Sequence, residues 1–237
     1  MVIVLLGVLF GSGYGLFVLG DNIFRLNEII VEGNTMYGDT EILNVAGLHS
    51  GEGLLFLNTS EAERKIYKEF PYIDEVSMHK QLPNKLKINI STAVRKFSIF
   101  KEDEFYVVSE KGKLLEKVGE LPSETVELRG IEFEIDENEK IVYTDSEAED
   151  ILKETEKEIT SVGLGGIRVI DLTNRDNVVI NYEDRISIII GSMQDLHYKM
   201  VTAKEIISNK INQFERGELD LRNLTKDNKS YFTPISE

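Results

Sequence analysis

The side chains that could support acid–base or metal chemistry are scattered along this chain of 237 residues. Its three histidines, His49, His79 and His197, lie far apart, and the sequence contains no His-x-x-x-His or His-Glu-x-x-His pair. Cysteine is absent, which excludes both a disulfide framework and a zinc site built from thiolates. The sequence therefore predicts no catalytic residue, no metal site and no cofactor.

Two further motifs have familiar chemical uses, but neither has the pattern that its use requires. The glycine-rich residues 163–166 lie between a predicted helix and a strand, whereas a phosphate-binding loop runs from a strand into a helix. The acidic residues 132–139 lack the ligand spacing of a calcium loop, because Lys140 breaks it and cannot ligate while charged. We interpret the first motif as a connecting loop and the second as a solvated strand and turn.

The charge of the chain restricts the partners that it can bind. Its net charge is −15, and most of the negative charge lies after residue 94. Such a chain lacks the basic footprint of a nucleic-acid-binding protein. No pocket motif for a small-molecule substrate is recognisable, so the sequence favours proteins as partners.

Recognition of a protein partner is the chemistry that the sequence supports best. Residues 217–222 are predicted to form the last strand, and the end strand of a sheet exposes backbone groups to which a partner can add a strand. Two aromatic residues follow in a polar tail. The candidate partner-binding residues are Leu219, Asp220, Leu221, Arg222, Tyr231 and Phe232. An alternative for the two aromatic residues is packing of the terminus onto its own domain.

The chain begins with a segment that could cross a membrane. Residues 2–19 carry no charge, and a helix of this length would span about 27 Å, close to the thickness of the hydrocarbon core of a bilayer. A cleaved signal peptide is the alternative, but no basic residue precedes the run and no good cleavage site follows it. We therefore predict a retained transmembrane anchor over residues 1–23. No Lys or Arg precedes Arg25, so either a basic segment lies upstream or the orientation is set by other means, and we expect the basic segment.

Residues 24–94 show the pattern of a small domain with the order strand, helix, helix, strand, strand. Asp39 is predicted to cap the first helix and Gly47 to end it. Asn58 and Glu61 form a capping-box pattern for the second helix, which Pro71 then stops. Two strands follow, the second of them with strict alternation of apolar and polar residues.

Residues 95–222 are predicted to form a mostly antiparallel β domain with two amphipathic helices. One helix begins at a capping-box pattern of Ser146 and Glu149, and the other covers about residues 193–213. Residues 223–237 are predicted to be a polar C-terminal tail. The fold class is therefore α+β.

The first domain resembles the polypeptide-transport-associated (POTRA) module, a β-α-α-β-β domain. The pattern is carried by residues 29–34, residues 51–57, Pro71-Tyr-Ile-x-x-Val76 and Leu82-Pro-Asn-x-Leu86-x-Ile88. One such module after a transmembrane helix and before a β domain resembles the bacterial cell-division family FtsQ/DivIB. Residues 110–115 are similar to the hairpin that opens the second domain of that family.

The resemblance implies a non-enzymatic scaffold of the division machinery. It would cross the cytoplasmic membrane once, with its large C-terminal part outside the cytoplasm, at the division septum. Its partners would be two small single-pass coiled-coil proteins, an FtsL-like and an FtsB/DivIC-like protein, and together they would help to control septal wall synthesis. The POTRA domain would serve recruitment to the septum. Residues 219–222 would lie in or near the partner-binding strand.

Two other functions are compatible with parts of the sequence. A POTRA-containing secretion or outer-membrane assembly factor usually has several POTRA copies followed by a β-barrel. Here the strands after Arg95 lack the alternation over about ten residues that membrane barrels show. A membrane-anchored sensor or hydrolase of the cell wall would need a convergent set of polar residues, which we do not find.

Overall fold

The chain divides between Val94 and Arg95 into two units, and each unit has its own hydrophobic core. The structure, a computed structural model, describes residues 23–227 and 229–235. The predicted anchor, residues 1–23, lies outside this range except for its last residue. Among the described residues, no helix has the length and apolar character needed to cross a bilayer.

The first unit has the predicted order of elements, so the expectation of a β-α-α-β-β domain is confirmed. A three-stranded sheet has the strand order β1-β3-β2, with β3 parallel to β1 and antiparallel to β2. A short 3₁₀ turn, Leu54–Phe56, precedes the second helix. The elements are β1 (Glu28–Glu32), α1 (Asp39–Ala46), α2 (Thr59–Glu69), β2 (Ile73–Gln81) and β3 (Lys85–Thr92).

Local signals set the ends of both helices in this unit. The Oδ1 atom of Asn58 accepts a hydrogen bond from the Glu61 amide at 3.3 Å, which confirms the predicted cap of α2. Gly47 ends α1 in the left-handed conformation, with φ of 68°. The prediction for Asp39 was wrong by one position. Gly38 is the N-cap, and Asp39 is the first helical residue, where its charge favours the helix dipole.

The apolar faces of α1, α2 and the sheet meet in one core. Gly33 makes the close packing of β1 on β3 possible. Its φ is +128°, and a Cβ atom at this position would overlap the backbone oxygen of Ile90. The fully buried side chains of this core are Leu26, Ile42, Leu54, Ile66, Ile73, Leu86 and Ile88.

The second unit contains a nine-stranded sheet, a separate hairpin and three helices among its described residues. The strands of the sheet are β4 (Arg95–Lys101), β5 (Glu104–Ser109), β6 (Leu114–Val118), β7 (Val126–Arg129), β10 (Ile167–Asp171), β11 (Val178–Tyr182), β12 (Ile186–Gly191), β13 (Gly217–Asp220) and β14 (Tyr231–Pro234). The hairpin consists of β8 (Phe133–Ile135) and β9 (Ile141–Tyr143). The helices are α3 (Ser146–Val162), α4 (Leu196–Asn209) and the short α5 (Leu224–Asp227).

The large sheet has the strand order β14-β13-β12-β11-β10-β7-β4-β5-β6. Five of its eight strand pairings are antiparallel, which agrees with the expected mostly antiparallel domain. Residues 223–237 differ from the predicted polar tail, because they include α5 and a strand that pairs with β13. The reason is that Phe232 packs against the core, so the segment has an apolar side chain to bury.

The two long helices pack on the sheet through a continuous apolar core. The predicted cap of α3 at Ser146 was wrong, since the Asp145 carboxylate accepts the amides of Glu147 and Ala148 and Ser146 is the first helical residue. Helix α4 is shorter than the predicted residues 193–213. The core includes Ala148, Leu152, Ile180, Ile188, Ile190, Met200, Ala203, Ile207, Leu219 and Leu221.

We expect the substitution Gly33→Ala to lower the free energy of unfolding of the first unit by about 2 kcal/mol or more, because it adds both steric overlap and backbone strain. Hydrogen exchange followed by mass spectrometry can measure this for α2 and β3 separately from the second unit. Gly38→Ala is the matched control, since nothing lies within 4 Å of a Cβ atom there. Equal exchange in both variants would contradict the packing role of Gly33.

Candidate partner-binding edge of the second unit

The predicted partner-binding strand, β13, lies inside the sheet. Its backbone bonds to β12 through the Gly217 amide and the Arg185 oxygen at 3.0 Å, and through the Leu221 amide and the Ile189 oxygen at 2.9 Å. The side chains of Leu219 and Leu221 are fully buried. These two leucines therefore hold the sheet to its core and do not face a partner.

The strand at this end of the sheet is β14, and its register determines which backbone groups are free. The Ile235 amide donates to the Arg216 oxygen at 2.9 Å. In an antiparallel pair the bonded positions alternate, so Tyr231 and Thr233 also direct their amide and carbonyl groups towards β13. Phe232 directs its amide and carbonyl groups away from β13, to the edge where the described residues place no further strand.

The free edge of β14 is short and offers more hydrogen-bond acceptors than donors. Pro234 also points its backbone outwards, but proline has no amide hydrogen to donate. The edge therefore offers one donor, the Phe232 amide, and two acceptors, the carbonyl oxygens of Phe232 and Pro234. A proline on an edge strand limits uncontrolled pairing while it leaves room for a short partner strand.

A glycine allows β14 to lie close to β13. A Cβ atom on Gly217 would overlap the backbone oxygen of Thr233 and would lie 2.9 Å from the Phe232 ring. The Phe232 side chain is half-buried and packs against the core from the same face as its strand partner Leu219. The aromatic ring thus covers the end of the core and fixes the edge strand in place.

An ion pair closes the turn that follows β13. Arg222 donates to Asp220 from Nε to Oδ1 at 3.0 Å and from Nη2 to Oδ2 at 2.6 Å, and its amide donates to Oδ1 at 2.9 Å. The hydrogen bond from the guanidinium lowers the pKa of Asp220, although partial burial of the carboxyl acts in the opposite direction. Because Arg222 is largely exposed, we assign the pair to local geometry more than to overall stability.

Neighbouring residues support this turn from β12 and α4. The stem of Arg222 packs over Gly191, where a Cβ atom would lie 2.8 Å from Cγ of the arginine. The buried ammonium of Lys199 donates to the carbonyl oxygens of Ile190 at 3.0 Å and Ser192 at 2.7 Å. Burial lowers the pKa of Lys199. This lysine holds the end of β12 and so fixes the platform for β13 and β14.

The six residues predicted from the sequence come together at one end of the sheet, but in different roles. Leu219 and Leu221 are core residues, and Asp220 pairs with Arg222. Tyr231 is 54% exposed, and Phe232 is half-buried. The prediction that residues 217–222 form the last strand was wrong, because β14 follows and pairs with it. The partner contacts themselves stay a prediction.

Sequence reasoning missed the residues that complete this edge. Thr233 and Pro234 belong to β14, and Ile235, 60% exposed, continues its hydrogen bonding to β13. Only the high β-propensity of Tyr231, Phe232 and Thr233 hints at a strand. A proline in a strand of four residues argues against that assignment unless the strand lies at an edge, which is the position found here.

Two other edge strands, β6 and β2, each carry a contact from a neighbouring segment of the chain. At the opposite end of the large sheet, the amides of Leu114 and Ile141 donate to Glu139 and Gly112, so the segment between β8 and β9 covers the start of β6. In the first unit, the Glu63 carboxylate of α2 accepts the Met78 amide of the edge strand β2 at 2.6 Å.

The motifs considered for chemistry have structural roles. The acidic residues 132–139 form β8 and the turn that leads to β9, which agrees with the predicted strand and turn. The Asp136 carboxylate accepts the amides of Asn138 and Lys140 at 2.8 Å. These bonds lower the pKa of Asp136. Gly163 ends α3 in the left-handed conformation, which agrees with the predicted loop. In the part of the chain that the structure describes, no three His, Asp or Glu side chains form a group that could hold a metal ion.

Comparison with known proteins identifies the class of the first unit. Residues 24–91 match the sequence model of the POTRA domain, FtsQ-type. The match covers every helix and nearly all of every strand of that unit, and it agrees with the observed order of elements. The protein is therefore one that carries an FtsQ-type POTRA domain in front of a mixed β domain.

Similarity extends beyond this domain. Cell division protein DivIB of Clostridium botulinum (strain Loch Maree / Type A3) is 26% identical over 212 residues, covering 84% of this chain and 78% of the relative. Cell division protein FtsQ of Corynebacterium glutamicum is 22% identical over 185 residues, covering 78% of this chain and 79% of the relative. Over most of its length the chain is therefore similar to cell division proteins of the FtsQ/DivIB kind.

One solved structure was also compared with the chain. It is the major extracytoplasmic domain of the bacterial cell division protein DivIB from Geobacillus stearothermophilus, at 15% identity. The match covers 51% of this chain and 98% of that chain, with a TM-score of 0.29. The likeness to DivIB and FtsQ is therefore carried by the sequence comparisons.

We expect Gly217→Ala to detach β14, because the new methyl group would overlap Thr233 and crowd the Phe232 ring. Hydrogen exchange at the amides of Thr233 and Ile235 should become at least about tenfold faster, which corresponds to about 1.4 kcal/mol. Gly165→Ala is the control, because nothing lies within 4 Å of a Cβ atom at that loop position. Unchanged exchange in Gly217→Ala would show that β14 does not depend on this close approach.

The pKa of Asp220 should lie below its ordinary value of 3.8. Because folding lowers this pKa, the ion pair stabilises the turn fully when the pH is above the unfolded-state pKa of Asp220. The stabilisation is lost as the pH falls through the folded-state pKa. Carboxyl-carbon NMR titration can measure it. In Arg222→Gln we expect the pKa of Asp220 to return towards 3.8. Arg216→Gln should leave this pKa unchanged, because the Arg216 guanidinium donates to the backbone oxygen of Asp184. An identical pKa in both variants would contradict the assignment.

Proposed function

We propose that this protein is a membrane-anchored, non-enzymatic scaffold of the bacterial division machinery. It binds small single-pass coiled-coil proteins of the FtsL and FtsB/DivIC kind at the septum and so helps to control septal wall synthesis. The FtsQ-type POTRA domain and the similarity to cell division proteins support the role in division. The relatives compared above are all named cell division proteins, which favours this function over the secretion alternative.

The open edge of β14 is the observation that carries the partner-binding part of the proposal. Among the described residues, neither a further strand nor a hydrogen bond covers its outward backbone groups. A partner strand that pairs with Phe232 would extend the nine-stranded sheet by one strand. The exposed side chains of Tyr231 and Ile235 flank that position and supply apolar contact on either side.

The small number of free groups limits how tightly such a strand binds by itself. A net hydrogen bond contributes about 0.5–1.5 kcal/mol, so three groups contribute roughly 2–4 kcal/mol, which corresponds to millimolar affinity or weaker. Partners anchored in the same membrane meet the edge at a high effective concentration, which strengthens a weak contact. A short edge therefore suits a complex in which every member is tethered.

The tether itself is supported by the uncharged residues 2–19, which have the length of a membrane-spanning helix. We assign the large C-terminal part to the outside of the cytoplasmic membrane. The FtsQ-type POTRA domain is assigned to recruitment of the protein to the septum. Among the described residues, the polar clusters take part in caps, turns and ion pairs, an arrangement that fits a scaffold.

Strand addition predicts that the Phe232 amide hydrogen is required for partner capture. We expect N-methylation of Phe232, introduced by semisynthesis of the C-terminal segment, to weaken capture of the coiled-coil partners at least tenfold. The methyl group removes the outward donor and keeps the aromatic side chain. Binding is measured by pull-down and by titration calorimetry with the extracytoplasmic parts of the partners.

Pro234→Ala is the matched variant, because it adds an outward amide at the second edge position. Capture should stay equal or become up to about tenfold tighter. Hydrogen exchange at Thr233 and Ile235 reports whether β14 remains paired in each variant. Full capture by an N-methylated protein with β14 intact would overturn strand addition at this edge.

A further inference from the structure

Four large apolar side chains are exposed at one end of the POTRA domain. Phe56 is the most exposed, at 81%, and Leu82 is 60% exposed. Ile23 and Leu55 are 56% and 47% exposed. Scattered exposed apolar residues are normal, but a group at one place marks an interaction surface. We call these four residues the apolar end.

Hydrogen bonds connect the segments that carry these residues. The Leu54 amide donates to the Phe24 oxygen at 2.8 Å, next to Ile23 and Leu55. The Nζ atom of Lys80, which precedes Leu82 by two residues, donates to the Leu55 oxygen at 3.0 Å.

The turn between β2 and β3 is also hydrogen-bonded to the segment that precedes β1. The Asn27 amide donates to the oxygen of Asn84 in that turn at 2.9 Å. The β2–β3 turn, the 3₁₀ turn and the start of the domain therefore lie together, so the four apolar side chains are found at the same end.

The apolar end is also where the chain arrives from its uncharged N-terminal run. That run ends at Leu19, and Ile23 follows four residues later. Four fully extended residues reach at most about 14 Å. The interfacial layer on each side of the hydrocarbon core is about 5–8 Å thick. With Leu19 at the edge of the hydrocarbon core, the apolar end is held within reach of that layer.

We propose that the apolar end of the POTRA domain docks onto the lipid bilayer and inserts Phe56 and Leu82 into the interfacial layer. This inference rests on the membrane anchor of the proposed function. Two cations also belong to this end, because Arg25 donates to the Gly51 oxygen at 3.5 Å and Lys80 donates to the Leu55 oxygen. Positive charge there favours lipid phosphates although the chain as a whole is acidic. The bilayer thereby provides a second contact besides the anchor and restricts the orientation of the POTRA domain.

The absence of tryptophan from the chain allows a direct test. Phe56→Trp places a single fluorophore at the apolar end of the full-length protein, which is purified alone and reconstituted into phosphatidylcholine–phosphatidylglycerol vesicles. Lipids brominated near the headgroup quench tryptophan only on contact. Phe214→Trp is the matched control, because Phe214 is 83% exposed and lies in the second unit. Leu82→Trp gives an independent reporter at the apolar end.

We expect brominated lipids to reduce the fluorescence of Trp variants at positions 56 and 82 at least twofold and to leave the position 214 variant unchanged. Hydrogen exchange of α2 verifies that both reporters fold. Release of the protein from the vesicles by alkaline carbonate would show that the anchor has failed, and the docking proposal with it. Retention without quenching at positions 56 and 82 would overturn docking alone. Acrylamide quenches tryptophan that is exposed to water. If the reporters at positions 56 and 82 are protected from acrylamide but are not quenched by brominated lipids, the apolar end contacts another protein copy, which would also overturn the proposal.

Discussion

The hydrogen-bonding requirement of the sheet edge is the constraint on which this structure and its function depend. An open sheet has two edges, and each presents backbone groups that water, a cap or another strand must satisfy. The edges at β6 and β2 carry contacts from the chain itself. At β14 the Phe232 amide and the carbonyl oxygens of Phe232 and Pro234 point away from β13. Pro234 has no amide hydrogen, which limits the number of hydrogen bonds that this edge can form. The strand addition proposed above would satisfy these groups with those of a partner.

The rest of the second unit holds β14 in place. Leu219 and Leu221 fix β13 to the core, Gly217 lets β14 approach, and Arg222 closes the following turn on Asp220. Lys199 secures the end of β12 beneath them. The edge is therefore a rigid ending of a well-packed sheet, and a rigid edge spares a partner the entropy cost of ordering it.

The sequence predicts the first unit better than the edge of the second for a physical reason. Asn58, Glu61 and Pro71 carry local signals of helix ends, and strict alternation in β3 reports one buried face. By contrast, β14 has four residues and a proline, and its pairing depends on contact with β13 after a helix and two turns. The error at Ser146 has a local origin instead, because Asp145 has the same capping chemistry one position earlier. Local patterns fix elements, whereas the identity of an edge strand depends on tertiary pairing.

The most direct test of the central claim is hydrogen exchange at a single amide, that of Phe232, measured by NMR with and without the extracytoplasmic parts of the coiled-coil partners. In the free protein this amide should exchange rapidly, while those of Thr233 and Ile235 are protected by β13. On partner binding, exchange at Phe232 should slow at least tenfold. Binding that leaves the Phe232 amide as exposed as before would contradict strand addition to β14.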